Sequence, residues 1–225
     1  MRGSHVGMKK MVFIEISRFE NKMEAHYHLS QYWDSRYSFD KDPFEWFQKY
    51  GEIRGIISSY VTDKSNVLVV GCGSSELSSE LYADGVKFIT NLDFSSKIID
   101  HLKATISDAP EMKFECMDAC SMKYDGQFDV VIDKATFDCV LCGEGCRDRA
   151  ARYLSNIARA LTPDGVYICI SHAEPAMRDS YLKGPQLPWE VETKEIPKPT
   201  LVSAEISSAT AGVHYVYICK KTGDF

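Results

Sequence analysis

Apolar residues follow two alternating rhythms along this chain. Short, nearly continuous apolar runs alternate with stretches in which apolar positions return every three or four residues. The first rhythm suits strands buried on both sheet faces, and the second suits helices packed on one side. Residues 66–70, 86–92, 112–117, 128–132 and 166–171 form five strand-like runs. Between them, Leu77 and Leu81 mark a helix over 75–83, and Ile98, Ile99, Leu102 and Ile106 mark another over 96–107. A third spans about 148–161 and stops at the turn Pro163-Asp164-Gly165. Gly85 ends the first of the three.

The flanks differ. The aromatic stretch from Met23 to Tyr37 predicts a helix entering a loop. Ile53, Ile56, Ile57 and Tyr60 predict a second helix over about 44–60, weakened at Gly55. Near the end, 189–196 and 214–219 read as two strands joined through a Ser/Ala/Thr/Gly-rich connection, a hairpin that closes the sheet. The whole pattern calls for an α/β fold with a mostly parallel sheet, right-handed crossovers and helices on both faces.

Length and composition narrow this picture. A chain of 225 residues favours one domain with a full core. A net charge of −6 argues against broad binding to a nucleic-acid backbone. No apolar run approaches the roughly 18 residues of a membrane span. Met1-Arg2-Gly3-Ser4-His5 reads as a remnant of an expression tag, so residues 1–7 are set aside. With no export signal, the eight cysteines are expected as reduced thiols and the protein as cytoplasmic. Cys139, Cys142 and Cys146 would supply three corners of a zinc site, but no fourth ligand lies nearby, and no metal is expected.

The candidate chemistry gathers at strand ends. Val69-Val70-Gly71-Cys72-Gly73 takes a buried strand into a turn that brings backbone and a helix N-terminus to a ligand. Alone, it is equally a tight strand–helix turn. A full dinucleotide pattern would need glycine at position 76, where Glu76 stands, so NAD chemistry is disfavoured. Asp93 ends the second strand about 20 residues on, where a carboxylate accepts from both ribose hydroxyls. Asp118 and Ala119 end the third, where side chain and backbone can read an adenine edge. Each acid taken singly also reads as a helix cap or a solvated loop group. The shared topology places all three strand ends at one crevice.

With these residues in hand the chain resembles a known family. The segments Tyr32-Trp33-Asp34-Ser35-Arg36-Tyr37, Glu45-Trp46-Phe47, Val70 to Ser78, Asn91 to Ser96, Met117-Asp118 and Phe128 to Asp138 are similar to class I S-adenosylmethionine-dependent methyltransferases. Within these it resembles the enzymes that modify lysines of translation elongation factor 1A, chiefly the lysine methyltransferase 4 group, with similarity also to the methyltransferase-13-like enzymes. The resemblance covers about residues 27–220. It implies a Rossmann-like core over about 61–222, under a helical lid over about 20–60, with 8–225 forming one domain. The implied strand order is 3-2-1-4-5-7-6, with the last strand antiparallel. The implied cofactor is S-adenosylmethionine, with S-adenosylhomocysteine as product, held by Trp33, Tyr37, Trp46, Gly71, Gly73, Asp93, Phe94, Asp118, Ala119 and Lys134. The implied partner is a protein substrate such as elongation factor 1A.

Two departures stand out. Ala135 occupies a position that is usually glycine in the family, and Phe137 one that is commonly leucine; both bear on the acceptor. A lysine amine must lose a proton before it attacks a methyl group. Asp133 and Asp138 bracket the exit of the fourth strand and are the candidate catalytic bases, with buried cap and helix N-cap as their alternatives. His172 follows the fifth strand and either faces the acceptor or is structural. Transfer to a small molecule or another protein, and a non-catalytic scaffold that activates a partner, stay open as alternatives.

Overall fold

The structure, a computed structural model, describes residues 26–199 and 212–223. The tag-like start, the first part of the aromatic stretch at 23–25 and most of the connection between the last two strands lie outside the described residues. The chain order is α1 (Ser30–Phe39), α2 (Tyr50–Ile57), β1 (Asn66–Val70), α3 (Leu77–Ala83), β2 (Phe88–Asp93), α4 (Ser96–Thr105) and β3 (Lys113–Cys116). It continues with β4 (Phe128–Lys134), α5 (Thr136–Val140), α6 (Cys146–Ala160), β5 (Leu161–Ser171), α7 (Pro175–Leu182), β6 (Trp189–Pro197) and β7 (Val213–Lys221).

The strands form one seven-stranded sheet in the order β3-β2-β1-β4-β5-β7-β6. β7 runs antiparallel to both of its neighbours, and the remaining pairings are parallel. This is the Rossmann-like architecture expected from the sequence. Side chains alternate between two apolar layers, because successive strand residues point to opposite faces. Val67 and Val69 pack with Ile53, Ile57, Leu77, Leu81 and Ile98 of the helices α2, α3 and α4. Leu68 and Val70 pack with Phe137, Tyr153, Leu154, Ile157 and Leu182 of α5, α6 and α7. Burial on both faces explains why β1 reads as an unbroken apolar run.

Four elements depart from their sequence reading. The expected helix over 44–60 begins only at Tyr50. Residues 44–49 instead form a strap tied to the sheet edge: Phe44 N–H donates to Ser74 O at 3.3 Å, and Gln48 Nε2 donates to Pro197 O at 2.8 Å. Phe47 holds a φ of 62° in that strap, which no helix permits. Pro163-Asp164-Gly165 falls inside β5, not before it. Phe128 pairs with Leu161 while Val130 pairs with Val166, so the predicted turn is a bulge that leaves Pro163 and Asp164 exposed. α5 and α7 were absent from the periodic pattern. α5 has only five residues, too few for a repeat, whereas Pro175 at the start of α7 was an available signal.

The turn after β1 sets the position of everything at this edge. Gly71 and Gly73 have φ values of 60° and 52°, in the left-handed region. A Cβ on Gly71 would lie 2.1 Å from Thr136 Oγ1, and that hydroxyl is held in place by its 2.9 Å bond to Val70 O. Gly71→Ala is therefore expected to destabilise the fold by about 2–5 kcal/mol, the sum of left-handed strain and overpacking. A lower midpoint in denaturant unfolding with an unchanged slope would show it.

Candidate functional site

The parallel strands β1, β2, β3 and β4 end along one side of the sheet, and the strand order reverses between β1 and β4. A crevice opens at such a reversal. Its wall includes Trp33, Tyr37, Trp46, Gly71, Gly73, Asp93, Phe94, Asp118, Ala119 and Lys134, so all ten cofactor positions read from the sequence meet in one cleft.

Asp93 lines this cleft at the end of β2. Its Oδ2 accepts from Gly73 N–H at 3.0 Å and its Oδ1 from Ser95 N–H at 2.9 Å. Burial pushes its carboxyl up to about 6, against the pull of those two backbone bonds, and Asp34 adds a further upward push. Asp34 also accepts from Ser95 Oγ at 2.6 Å, so α1 is docked directly onto the residue that orients Asp93. Asp118 is exposed, with Oδ1 taking Cys120 N–H at 2.8 Å, and Ala119 O accepts from Asn156 Nδ2 at 3.1 Å.

Aromatic rings from the N-terminal segment cover the cleft. Trp33 and Tyr37, one helical turn apart, stack at 5.8 Å, and Trp46 meets Trp33 edge-on at 6.3 Å. Both Trp33 and Tyr37 are buried within the same apolar layer as α2 and α4. They therefore belong to the core and to the cleft wall at once. Burial, with the nearby Asp93 charge, pushes the Tyr37 hydroxyl up, so it stays protonated.

Arg36 on the cleft wall and Glu45 behind it escaped the sequence reading. The Arg36 guanidinium sits over the rings of Trp33, Phe44 and Trp46 at 5.2–5.7 Å, with no ion pair among the described residues. Its spacing of three from Trp33 was the available signal. Glu45 stood only in the resemblance motif Glu45-Trp46-Phe47, and its role stayed hidden because its partners come from far along the chain. It accepts from Ser75 Oγ at 2.8 Å, Glu76 N–H at 2.7 Å and Lys134 Nζ at 2.5 Å. Burial pulls Lys134 below the ordinary lysine range, while Glu45 opposes that shift.

The two candidate bases are not brought to the cleft wall. Asp133 is fully buried, and its oxygens accept from Thr136 N–H at 2.8 Å, Phe137 N–H at 3.0 Å, Tyr153 Oη at 2.6 Å and Tyr167 Oη at 2.9 Å. It caps α5 and leaves no route to an acceptor. Asp138 sits on α5 with its side chain largely buried. Burial pushes it up, but the bond from His172, the charge of Arg178 and the bond from Ser171 together take it below the ordinary carboxylate range. A carboxylate held that low is a poor proton acceptor. Ala135, the departure from the family's glycine, has a φ of 76°, a conformation that glycine adopts freely and alanine at a cost of about 1–2 kcal/mol. Among the described residues no group of three or more His, Cys, Asp or Glu is placed to hold a metal ion.

Comparison with known proteins agrees with this architecture. A family profile described as a methyltransferase domain matches residues 68–169. The EEF1A lysine methyltransferase 4 of Mus musculus is 30% identical over 176 residues, covering 73% of this chain and 69% of that protein. The eEF1A lysine and N-terminal methyltransferase of Homo sapiens is 38% identical over 148 residues, 64% of this chain but only 21% of that protein's length. Among solved structures, a TehB-like SAM-dependent methyltransferase from Corynebacterium glutamicum shares the fold at a TM-score of 0.57 and 22% identity, covering 77% of this chain and 89% of that one. The [4+2]-cyclase SpnF shares it at 0.59 and 13%, covering 89% and 95%. The fold thus accommodates more than one reaction.

The structural role of Asp133 is open to measurement. Burial raises its carboxyl from the usual 3.8 to about 6. A raised acid contributes most below its unfolded value, and the contribution is lost as pH rises through the folded one. Asp133→Asn removes that titration. Its destabilisation is expected to be larger at about pH 4.5 than at about pH 7, by about 2 kcal/mol. Urea unfolding of both proteins at the two pH values provides the check, and an unchanged difference would contradict the buried ionisable role.

Proposed function

The chain belongs to the class I S-adenosylmethionine-dependent methyltransferases, and we propose that within them it methylates a lysine of a protein, with elongation factor 1A as substrate. The observation that carries this reading is the joining of two features. The cleft lining has the acceptors and apolar faces that suit a nucleoside sulfonium, and the N-terminal segment that covers it carries Tyr32 to Tyr37 and Glu45-Trp46-Phe47, two of the motifs that resemble elongation factor lysine methyltransferases. In support of a cytoplasmic setting, no helix among the described residues is long and apolar enough to cross a membrane.

The residues present fit the cofactor. Asp93 retains lone pairs beyond its two backbone bonds, as a ribose diol requires. Phe94, Leu92 and Met117 offer the adenine an apolar slot, with Asp118 and the Ala119 backbone at its edge. Arg36, lacking an acidic partner among the described residues, is suited to an amino-acid carboxylate. Trp33, Tyr37 and Trp46 exclude water and present ring faces to a cation. When bound, S-adenosylmethionine supplies an activated methyl group, so this chain contributes chiefly position and desolvation. Lys134, neutralised by Glu45, pins the strap against the end of β4 and holds Trp46 over the cleft.

Incubation of the protein with labelled S-adenosylmethionine and full-length elongation factor 1A is expected to label one lysine, located by peptide mass spectrometry. Label on a small molecule or another protein alone would overturn the substrate, and no transfer to a whole-cell extract would favour a scaffold. At the cofactor, Asp93→Ala should weaken S-adenosylhomocysteine by about ten- to a hundredfold, the loss of about 1.5–3 kcal/mol of charged hydrogen bonds. Because ribose hydroxyls bind the carboxylate, affinity should be full above about 6 and decline as pH falls below it. Calorimetric affinities of a folded Asp93→Ala protein within about twofold of wild type would remove Asp93 from the ribose.

A further inference from the structure

A second polar cluster lies at the same edge of the sheet, and nothing described so far uses it. Ser171 ends β5, His172 follows it, Arg178 comes from α7 and Asp138 from α5. Ala135, Thr136, Cys139 and Val140, in and beside α5, line the cofactor cleft, so the cluster is its immediate neighbour. Asp138 Oδ1 accepts from Ser171 Oγ at 2.8 Å and Arg178 Nη2 at 2.7 Å, and His172 Nδ1 lies 2.7 Å from the same oxygen. Asp138 Oδ2 is buried with no hydrogen-bond partner among the described residues.

The exposures are unequal. The side chains of Asp138 and Arg178 are 9% and 6% exposed, whereas that of His172 is 55% exposed. A buried carboxylate therefore grips the inner nitrogen of a ring whose body reaches the surface. That grip selects the tautomer with hydrogen on Nδ1 and leaves the lone pair on Nε2. No hydrogen bond engages Nε2 among the described residues. The ring rests on Phe47 at 5.6 Å, next in sequence to Trp46 of the cleft wall. Phe47 holds its left-handed φ of 62° while also packing on His214 at 4.9 Å. Strain of this kind persists only where surrounding contacts over-determine it.

On the protein-lysine reading above, we infer that His172 takes the proton from the substrate's ammonium group, and that Asp138 is its positioning residue. The ammonium N–H bond breaks and its proton passes to His172 Nε2. The freed nitrogen lone pair then forms the new N–C bond to the methyl carbon as the C–S bond breaks, and sulfur keeps that electron pair. The product is a methylated ammonium beside a protonated His172, which Asp138 stabilises and which later releases its proton to water. Asp138, proposed from sequence as a base in its own right, acts here through the ring it holds. The titratable and charged groups around His172 are Asp138 from α5, Arg178 from α7 and, across Phe47, His214 from β7, held towards its neutral form by burial and by Lys198 beyond it.

The test combines turnover with a measurement that needs no acceptor. With elongation factor 1A as the probe, His172→Gln is expected to lower kcat by about 10²–10⁴-fold. S-adenosylhomocysteine affinity should hold within about twofold, because His172 is not on the cofactor wall. The acid limb of the kcat profile should disappear, and added imidazole should restore His172→Ala in proportion to its free base. Nitrogen-15 spectra of the cofactor-bound protein should show His172 with hydrogen on Nδ1, and Asp138→Asn should shift it towards the Nε2 form. Turnover of His172→Gln within about threefold of wild type, or a wild-type ring carrying its hydrogen on Nε2, would overturn the assignment. If the Asp138 variant does not fold, the exposed His172 variants decide the matter. A wild-type protein that leaves elongation factor 1A unmodified would overturn the substrate reading, and the ring spectra would then decide this one alone.

Discussion

Val70, the last residue of the central strand, pairs with Leu92 on one side and Asp133 on the other, so two buried carboxylates flank the turn that begins at Gly71. Strands that end in a buried turn leave backbone N–H groups that need acceptors. Asp93 and Asp133 supply them, and burial raises both to about 6. Their partners separate their roles. Asp93 receives two backbone donors and faces an open cleft; Asp133 receives two backbone donors and two tyrosine hydroxyls and is closed off. One acid keeps capacity for a ligand and the other is a structural cap.

The N-terminal segment completes the site from outside. Asp34 holds Ser95, Glu45 holds Ser75, Glu76 and Lys134, and Gln48 holds Pro197 and His214. Three polar pins thus join the N-terminal segment to the β2–α4 turn, the β1–α3 turn, β4 and the β6–β7 hairpin. The Lys134–Glu45 pair is largely buried, and desolvation offsets most of its Coulombic gain. Its value is therefore geometric: it fixes where Trp46 lies. The price of that precision is local strain, at Phe47 within the strap and at Ala135 beside Lys134.

The same strap connects the cofactor cleft to the acceptor edge. Trp46 faces the cleft, and Phe47 faces His172 and His214. Cofactor coverage and the ring environment of His172 therefore depend on one dipeptide. Because β7 is antiparallel, its start, with His214, lies beside the end of β5, which brings the hairpin to the acceptor edge.

The sequence by itself determined the sheet, its alternating helices, the glycine turn and the acids at the strand ends. Each of these is encoded over a few neighbouring residues, as an apolar period or a backbone conformation open to glycine. The family resemblance added the strand order and pointed to the aromatic N-terminal segment as part of the site. The helix expected over 44–60 lost its first part because Glu45 and Gln48 find partners 30 to 166 residues away, and those bonds outweigh local helical preference. Asp133 and Asp138 looked alike in sequence, two acids beside a strand exit. Only the tertiary structure, by enclosing one among tyrosines and setting the other against His172 and Arg178, decided that neither reaches the cleft. The periodic pattern records which face of an element is apolar; what a buried charge meets depends on residues that only folding brings together.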